Sequence, residues 1–387
     1  MNTKETLDGI FQFRTDIQIP EWEFGYWYDT IERWYTEGMP KRRPPELSGE
    51  VQFICGDVCA WPDPFDGSAV GSADVHDYFE LDEPIRSVPL NMGPLPGYEK
   101  RILDEDEENI TMVRWDGKTV KTRRDGTAMP QFQRYPVTCR PEFERFKERF
   151  RPDLNARVGA DLITLQEHYR NRVFPVQLGG SNFCGFYSVL RECMGVTETA
   201  YVLYDDPELI EEMLDFFTDY YIALYTQLLS RIDIDYILIW EDMCFKNGPL
   251  ISPKMFKNIC LPRYKRFIRA MRAQNVSRFI VDTDGNFDLL IDDFMEAGVG
   301  AIYPFEVAAG MDIEKTRERY PDLVIIGGID KRMLAMGKEE IDIQIRLVDR
   351  MLQKGGFLPC VDHAVTPDVS FENYRYFRGE MKKVLKG

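Results

Sequence analysis

Acidic residues and one histidine follow short apolar runs in the second half of the sequence. They are Glu241, Asp242, Asp282, Asp284, Glu306, Asp330, Asp362 and His363. Carboxylates gathered around an imidazole suit either a divalent metal ion or general acid–base catalysis. Clustered carboxylates also raise one another's pKa unless a cation or hydrogen-bond donors compensate, and such perturbed groups are typical of functional sites. The pattern therefore predicts a metal site or an acid–base site.

Three of these residues form the most specific combination. Asp282 and Asp284 are separated by one residue, so their side chains lie on the same side of an extended strand. His363 follows a later strand and is predicted to converge on them. Each acid also has a structural explanation, with Asp242 and Asp330 as helix caps and Asp284 as part of a turn. The structural explanation for His363 is a neutral, hydrogen-bonded core residue.

Two glycine pairs also follow predicted strands. Gly179-Gly180 and Gly327-Gly328 can each present backbone N–H groups to an anion, or can simply form a tight turn. The other histidines, His76 and His168, lack the spacing of metal ligands and are predicted to be structural.

The elements that position these residues alternate from about residue 150 onward. The predicted strands are Val173–Leu178, Tyr236–Trp240, Arg278–Asp282, Ala301–Tyr303, Leu323–Ile326 and Phe357–Val361. Helix starts are indicated by Asp206-Pro207, Ser252-Pro253 and Ser370, and a helix end by Gly298. This alternation predicts an α/β fold of the (β/α)8 TIM-barrel type, in which function gathers at the carboxyl ends of the strands.

The N-terminal third differs from the rest of the chain in its amino-acid composition. Residues 1–150 are rich in Pro, Trp, Tyr and charge, and are predicted to form an extension packed on a barrel core of residues 151–387, within one continuous domain. Asp116-Gly117 lies between two β-rich segments and predicts an inserted hairpin with a type I′ turn.

Composition limits the possible partners. The 387 residues include 48 Lys+Arg and 65 Asp+Glu, which gives a formal net charge of −17. Because nucleic acids and anionic membranes are bound through Lys and Arg, this charge argues against both. The eight cysteines contain no CxxC pair and are predicted to be reduced, mostly buried thiols. With neither a secretory leader nor a spanning segment indicated, we expect a cytoplasmic protein.

Several motifs resemble those of the uroporphyrinogen decarboxylase superfamily. The resemblance is strongest in Gly356–Asn373, which contains Asp362-His363, and extends to Asp282–Asn286, Gly327–Asp330, Gly180–Phe183 and Ile19–Trp22. Superfamily members are (β/α)8 barrels, often dimeric, so a homodimer is an expectation. The superfamily includes true decarboxylases and methyltransferases that work with corrinoid proteins.

Departures from the decarboxylase pattern favour the methyltransferase branch. Gly25 and Asp29 stand where the true decarboxylases carry arginines that hold the porphyrinogen carboxylates. The thiol-methylating enzymes of the other branch bind zinc through His-x-Cys and a later Cys, and this chain has Asp282, Asp284 and His363 at the matching places. Cysteine ligands suit a soft sulfur acceptor, whereas this harder set fits an oxygen or nitrogen leaving group.

The resemblance thus implies demethylation of a small methyl ether or methylamine, with transfer of the methyl group to the corrinoid (cobalamin-type) cofactor of a partner protein. Glu241 and His363 are the predicted catalytic residues. The predicted metal ligands, for a possible zinc ion, are Asp282, Asp284 and His363, with Glu241 or Cys360 as further candidates. The predicted substrate-binding residues are Trp22, Tyr26, Asn182 and Glu306.

Other readings remain open at this point. A decarboxylase of porphyrin biosynthesis is one, and a non-catalytic ligand-binding barrel is another. The N-terminal aromatic residues can equally belong to a helix that packs on the barrel.

Overall fold

The structure is a computed structural model. It describes residues 1–45, 53–59, 61–62, 72–124, 130–159 and 161–386. In these residues the strands are β1 (Gly25–Trp27), β2 (Phe53–Cys55), β3 (Trp61–Pro62), β4 (Arg86–Ser87), β5 (Arg101–Glu105), β6 (Asn109–Val113), β7 (Thr119–Arg123), β8 (Gln131–Arg134), β9 (Val176–Gly179), β10 (Tyr236–Trp240), β11 (Cys244–Phe245), β12 (Gly248–Pro249), β13 (Phe279–Asp282), β14 (Ala301–Tyr303), β15 (Val324–Ile326) and β16 (Phe357–Leu358).

A curled parallel sheet forms the centre of the fold. Its order is β3-β4-β9-β10-β13-β14-β15-β16, so strands that follow one another in the chain are also neighbours in space. Every pairing in this series is parallel, for example Trp240 with Asp282 and Asp282 with Tyr303. Parallel neighbours require crossover connections, which are supplied here mostly by helices. This is the TIM-type barrel architecture that the sequence predicts.

Helices surround the sheet. They are α1 (Thr3–Phe11), α2 (Tyr28–Thr36), α3 (Ala73–Phe79), α4 (Arg140–Lys147), α5 (Leu154–Arg157), α6 (Leu162–Arg170), α7 (Tyr187–Asp205), α8 (Pro207–Leu229), α9 (Pro253–Met255), α10 (Leu261–Arg272), α11 (Ile291–Ala297), α12 (Ile313–Arg319), α13 (Lys331–Met336), α14 (Lys338–Leu352) and α15 (Phe371–Lys386). A π-helical turn, Phe256–Cys260, joins α9 to α10. None of the described helices is both long and apolar enough to cross a membrane.

The predicted helix boundaries are confirmed at the residues that signalled them. The side chain of Asp206 accepts a hydrogen bond from the backbone of Leu209, and that of Ser252 from Met255. Gly298 ends α11 in a left-handed conformation, and the Ser370 hydroxyl accepts from Asn373 N. These caps satisfy backbone groups that a helix end otherwise leaves unpaired.

The predicted boundary near residue 150 does not separate the barrel from the rest of the chain. Two strands of the parallel sheet, β3 and β4, lie before it, and β4 pairs with β9 through Arg86 and Val176. Each of these strands is two residues long, so neither produces the apolar run that marks the later strands. A barrel core confined to residues 151–387 is therefore incorrect.

The N-terminal third also carries an antiparallel sheet, ordered β5-β6-β7-β8. β6 and β7 pair around Asp116-Gly117, with Val113 opposite Thr119. The backbone of Arg114 donates to the carbonyl of Lys118, which leaves a three-residue loop with Gly117 at φ +86°. The connection is therefore not the predicted type I′ turn, because only the glycine is left-handed.

Lys118 fixes this antiparallel sheet to the barrel. Its side chain is 4% exposed and forms ion pairs with Glu192 on α7 and with Asp116, the latter at 3.2 Å. Burial of this charge is tolerated because two carboxylates surround it.

The cysteines are unpaired thiols, as predicted. Five of them are buried, Cys55 and Cys59 are partly buried, and Cys139 is exposed. Burial raises the pKa of the Cys193 thiol well above its usual value, which keeps that side chain neutral.

Candidate active site at the carboxyl ends of the strands

The predicted acids do reach one end of the barrel, because they follow parallel neighbouring strands. Asp282 is the last residue of β13 and pairs with Trp240 of β10 on one side and Tyr303 of β14 on the other. The backbone of Glu241 donates to the Asp282 carbonyl at 2.8 Å. The environments of the individual acids differ, however, and separate them into two groups.

Glu241 belongs to the structural group. It is fully buried, and its carboxylate accepts hydrogen bonds from the backbone N–H groups of Phe186, Tyr187 and Ser188 at 2.8–2.9 Å, and from the Tyr264 hydroxyl. These backbone groups form the N-terminus of α7, where a negative charge is favoured. The predicted role of Glu241 as a catalytic acid or metal ligand does not fit, because both oxygens are occupied in the interior.

Two further acids have comparable structural roles. Asp330 caps α13 by accepting from Arg332 N at 3.0 Å, as its structural explanation anticipated. Asp362 is fully buried and accepts from the backbones of Val307 and Lys331, and from the Lys331 ammonium at 3.1 Å. Both side chains hold loops together rather than face a ligand.

His363 and Asp284 form the central pair of the second group. Nε2 of His363 lies 3.6 Å from Oδ2 of Asp284, and the two side chains are 24% and 34% exposed. Burial lowers the pKa of His363, but the hydrogen bond and charge of Asp284 outweigh it, so the net shift is upward. The ring of Phe24 lies against the imidazole, with centroids 4.9 Å apart. The pair therefore favours a protonated imidazole that is accessible from outside.

Asp282 lies beside this pair and favours the neutral form. Its pKa is well above the usual value because of burial, with the charges of Asp284 and Asp242 adding to the effect. A hydrogen bond with Tyr303 acts in the opposite direction. A neutral carboxyl group can donate a proton, so this edge of the barrel holds a second potential acid.

Asp242 and Glu306 complete the group, and each is matched with a cation. Asp242 forms an ion pair with Arg191 at 2.7 Å. Glu306 accepts from Gly285 N at 2.9 Å and lies 3.7 Å from the ammonium of Lys331. Glu306 thus lies at the predicted site.

The residues do not assemble a metal centre. Among the described parts of the chain, no three His, Cys, Asp or Glu side chains are arranged to hold a metal ion. Cys360 is 1% exposed, and burial raises the pKa of its thiol well above normal, which disfavours the thiolate that a metal needs. The predicted zinc set of Asp282, Asp284 and His363 therefore fits an acid–base site better than a metal site.

The predicted aromatic substrate residues lie in the core instead. Trp22 is 1% exposed and donates its indole N–H to the carbonyl of Glu83. Tyr26 is fully buried, and its hydroxyl lies 3.0 Å from that of Tyr374. Both side chains are therefore core residues, but neither belongs to a helix as the alternative interpretation supposed, because Trp22 lies in a loop and Tyr26 in β1. Asn182 is partly exposed in the loop after β9 and keeps its predicted role as an untested candidate.

The two glycine pairs continue from β9 and β15 and hydrogen-bond to the neighbouring strands, so they form neither an anion-binding loop nor the alternative, a tight turn. The N–H groups of Gly180, Gly327 and Gly328 all donate to backbone carbonyls within the barrel. A Cβ on Gly327, which has φ +98°, would lie 2.2 Å from the carbonyl oxygen of Pro304. These loops are therefore shaped by close backbone approach, and their N–H groups are not available to an anion.

Sequence reasoning missed several members of this site. Phe24, Arg191 and Lys331 come from segments far from β13 in the chain, and no local sequence pattern signals that the fold brings them to this site. Three non-glycine residues in loops at the strand ends, Phe183, Asp242 and Phe305, have φ values of +62°, +36° and +62°. Left-handed backbone at such residues is uncommon and concentrates at functional sites, but it leaves no mark in the sequence.

Comparisons with known proteins agree with this architecture. The sequence model of the uroporphyrinogen decarboxylase (URO-D) family matches residues 130–384. A uroporphyrinogen decarboxylase from Hydrogenobaculum sp. (strain Y04AAS1) is 32% identical over 98 residues, which span 25% of this chain and 27% of the relative. A methyltransferase from Methanosarcina mazei superposes over 99% of both chains with a TM-score of 0.55 and 14% identity, which shows a shared fold. The chain belongs to the uroporphyrinogen decarboxylase family.

Proposed function

We propose that this protein is a methyltransferase that removes a methyl group from a small methyl ether or methylamine and delivers it to a corrinoid carried by a partner protein. The observation that carries the proposal is the His363–Asp284 pair beside Asp282, because this edge of the barrel favours two protonated groups at once. The methyltransferase-like fold supports the same reaction class.

Proton donation is the chemistry that these residues offer. When a methyl group leaves an ether, its bond to oxygen breaks and negative charge develops on that oxygen. The His363 imidazolium can donate a proton there, and Asp284 stabilises the imidazolium before transfer. Asp282, in its neutral form, is the second donor. The corrinoid, when present, supplies the nucleophile that accepts the methyl group.

Charge at the site argues against a polycarboxylate substrate. Two described cations of this site, Arg191 and Lys331, are already matched with Asp242 and with Asp362 and Glu306. The residues outside the described ranges contain no Lys, Arg or His that would add positive charge. A substrate with many carboxylates would leave them without partners in the site, which costs several kcal/mol in a poorly solvated environment.

The test is a panel of methoxylated and N-methylated compounds incubated with the protein and a reduced corrinoid protein. We expect the cobalt absorption spectrum to report methylation with at least one donor, and His363→Ala to reduce the rate about 100-fold or more. His168→Ala, which removes a histidine on α6, is the matched control and should retain full activity. Failure of every donor, or full activity in His363→Ala, would contradict the proposal.

Uroporphyrinogen decarboxylation is the second candidate, since the family match and the Hydrogenobaculum relative favour it. It predicts release of carbon dioxide from uroporphyrinogen without any partner protein. We expect no coproporphyrinogen in that assay, and its appearance would replace the methyltransferase proposal.

A further inference from the structure

A buried carboxylate joins the N-terminal segment to the loop that carries His363. Glu23 is fully buried, immediately before Phe24. Its Oε1 accepts hydrogen bonds from Phe24 N at 2.9 Å and from Val361 N at 2.8 Å. Its Oε2 accepts from the Tyr374 hydroxyl at 3.1 Å. One side chain thus connects segments that are 338 residues apart in the chain.

Both residues whose backbones donate to Glu23, Phe24 and Val361, lie next to the imidazole of His363 in space or in the chain. The ring of Phe24 lies against that of His363, and Val361 precedes His363 by two residues. Oε1 of Glu23 therefore fixes the residue that packs on the imidazole and also the segment after β16 that carries the imidazole. On the far side of His363, the backbone of Val365 pairs with Gly25 and Trp27 independently of Glu23.

Packing alone does not account for a carboxyl group at this position. Arg378, which is 3% exposed, lies 3.9 Å from Glu23 Oε2, so the two charges attract each other without a direct hydrogen bond. Asp57 is also buried and accepts from the backbone N–H of Glu23. Burial raises the pKa of Glu23, while Arg378 and the donors to its oxygens oppose the shift. Ionic interiors of this kind are often no more stable than apolar ones of the same volume.

We propose that Glu23 is a positioning residue that sets the place of the His363 imidazole relative to Asp284. The inference rests on the proposed function of His363 as proton donor. Glu23 itself touches neither substrate nor cofactor, and it acts only through the backbones of Phe24 and Val361.

Two substitutions of similar size separate positioning from packing. Glu23→Gln keeps a carbonyl oxygen that can accept from both backbone N–H groups. Glu23→Leu keeps much of the volume but removes the acceptor. We therefore expect Gln to retain the His363 geometry and Leu to lose it.

Histidine NMR gives a readout that does not depend on the reaction. The chain has three histidines, so a histidine-labelled sample gives three ring signals, assigned with His76→Gln, His168→Gln and His363→Gln. We expect Glu23→Leu to move the His363 signal, since the ring of Phe24 shifts against it, and to leave that of His168 in place. Glu23→Gln should leave both signals close to wild type.

Turnover supplies the second readout once a methyl donor is known. We expect Glu23→Leu to lower kcat by about 10–100-fold with KM nearly unchanged, because small displacements of a catalytic group reduce the rate more than the binding. Glu23→Gln should restore most of kcat. An unchanged His363 signal in folded Glu23→Leu would overturn the inference, whatever the reaction proves to be.

A milder variant covers the case in which Glu23→Leu does not fold. Tyr374→Phe removes only the hydroxyl that donates to Oε2, and we expect the His363 signal to move by a smaller amount. An unchanged His363 signal in folded Tyr374→Phe would likewise refute positioning. If the His363 signal moves but wild-type protein transfers no methyl group, the proposed function fails and the positioning role stands.

Discussion

Replacing Glu241 by glutamine should destabilise the protein strongly rather than disable its chemistry. Oε1 of Glu241 accepts from Phe186 N and the Tyr264 hydroxyl, and Oε2 accepts from Tyr187 N and Ser188 N. Glutamine retains one acceptor oxygen and places an NH2 group where the other stood. Two buried donors then face another donor.

The magnitude follows from those lost acceptors. Each buried donor left unsatisfied costs about 1–3 kcal/mol. If the amide oxygen occupies the Oε1 position, the backbone N–H groups of Tyr187 and Ser188 are the two affected. Loss of a charge at the N-terminus of α7 adds up to about 2 kcal/mol in a buried setting. We therefore expect the free energy of unfolding to fall by about 2–8 kcal/mol.

Urea denaturation followed by circular dichroism measures this loss, with Asp242→Asn as the matched control. Asp242 is the next residue in the chain, lies partly exposed in an ion pair with Arg191, and has φ +36°. Asparagine tolerates that conformation, and a partly exposed pair contributes about 0–1 kcal/mol. The denaturation midpoint of Asp242→Asn should therefore stay close to wild type.

The opposite result would refute the reasoning. If Glu241→Gln unfolds at the wild-type urea concentration but no longer turns over substrate, Glu241 is a catalytic residue and not the cap of α7. Equal destabilisation of both variants would also contradict it, because burial and hydrogen bonding distinguish the two neighbouring acids.

Three further substitutions test other features of the fold. Burial raises the pKa of Asp57 to about 8, so the folded state holds this proton more tightly than the unfolded state, and the stability that Asp57 contributes falls as the pH rises from about 4 to 8. In urea denaturation, Asp57→Asn should therefore reduce the change in unfolding free energy across that pH range by up to about 5 kcal/mol. Parallel curves of stability against pH for the two proteins would contradict this. Gly327→Ala should lower the free energy of unfolding by on the order of 2–3 kcal/mol, since the new Cβ would clash with the backbone of Pro304. Gly379→Ala in α15 is the control: nothing lies near its Cβ, so this substitution should raise the thermal midpoint slightly. Lys118→Met removes the cation that pairs with the buried Glu192 and one of the two that pair with Asp116, and should cost about 3–5 kcal/mol. Early proteolysis in the antiparallel sheet would report this loss, and wild-type resistance to protease would refute it.

Much of the barrel was predictable because its later strands are apolar on both faces. Tyr236–Trp240 and Ala301–Tyr303 match the observed strands at both ends, since each is a short hydrophobic run bounded by acidic residues, glycine or proline. The strands β3 and β4 were missed for the opposite reason. Each contributes only two residues to the ladder, and β3 includes Pro62, which is disfavoured inside a sheet.

The location of the site followed from topology, but the role of each acid did not. Parallel strands bring their carboxyl ends together, so any acid that follows a strand is a candidate. Glu241 and Asp242 have the same local sequence context, yet one turns into the N-terminus of α7 and the other towards Arg191. Only the packing of α7 against the end of β10 decides between these outcomes, and α7 lies 36 residues or more from Glu241 in the chain.

The net negative charge of the chain limits which substrates the site can bind. A net charge of −17 alone excludes polyanions only in a general way, because a local basic pocket can override it. Here the described cations of the site, Arg191 and Lys331, are engaged by carboxylates of the chain. A polycarboxylate would have to displace those internal partners, and each displaced carboxylate would then need a proton or water. A neutral ether requires neither, and its leaving oxygen can take the proton that His363 or Asp282 donates, so the charge distribution and the proton donors both favour an ether. A methylated ammonium ion fits the acidic surroundings, but it leaves as a neutral amine and needs no proton donor.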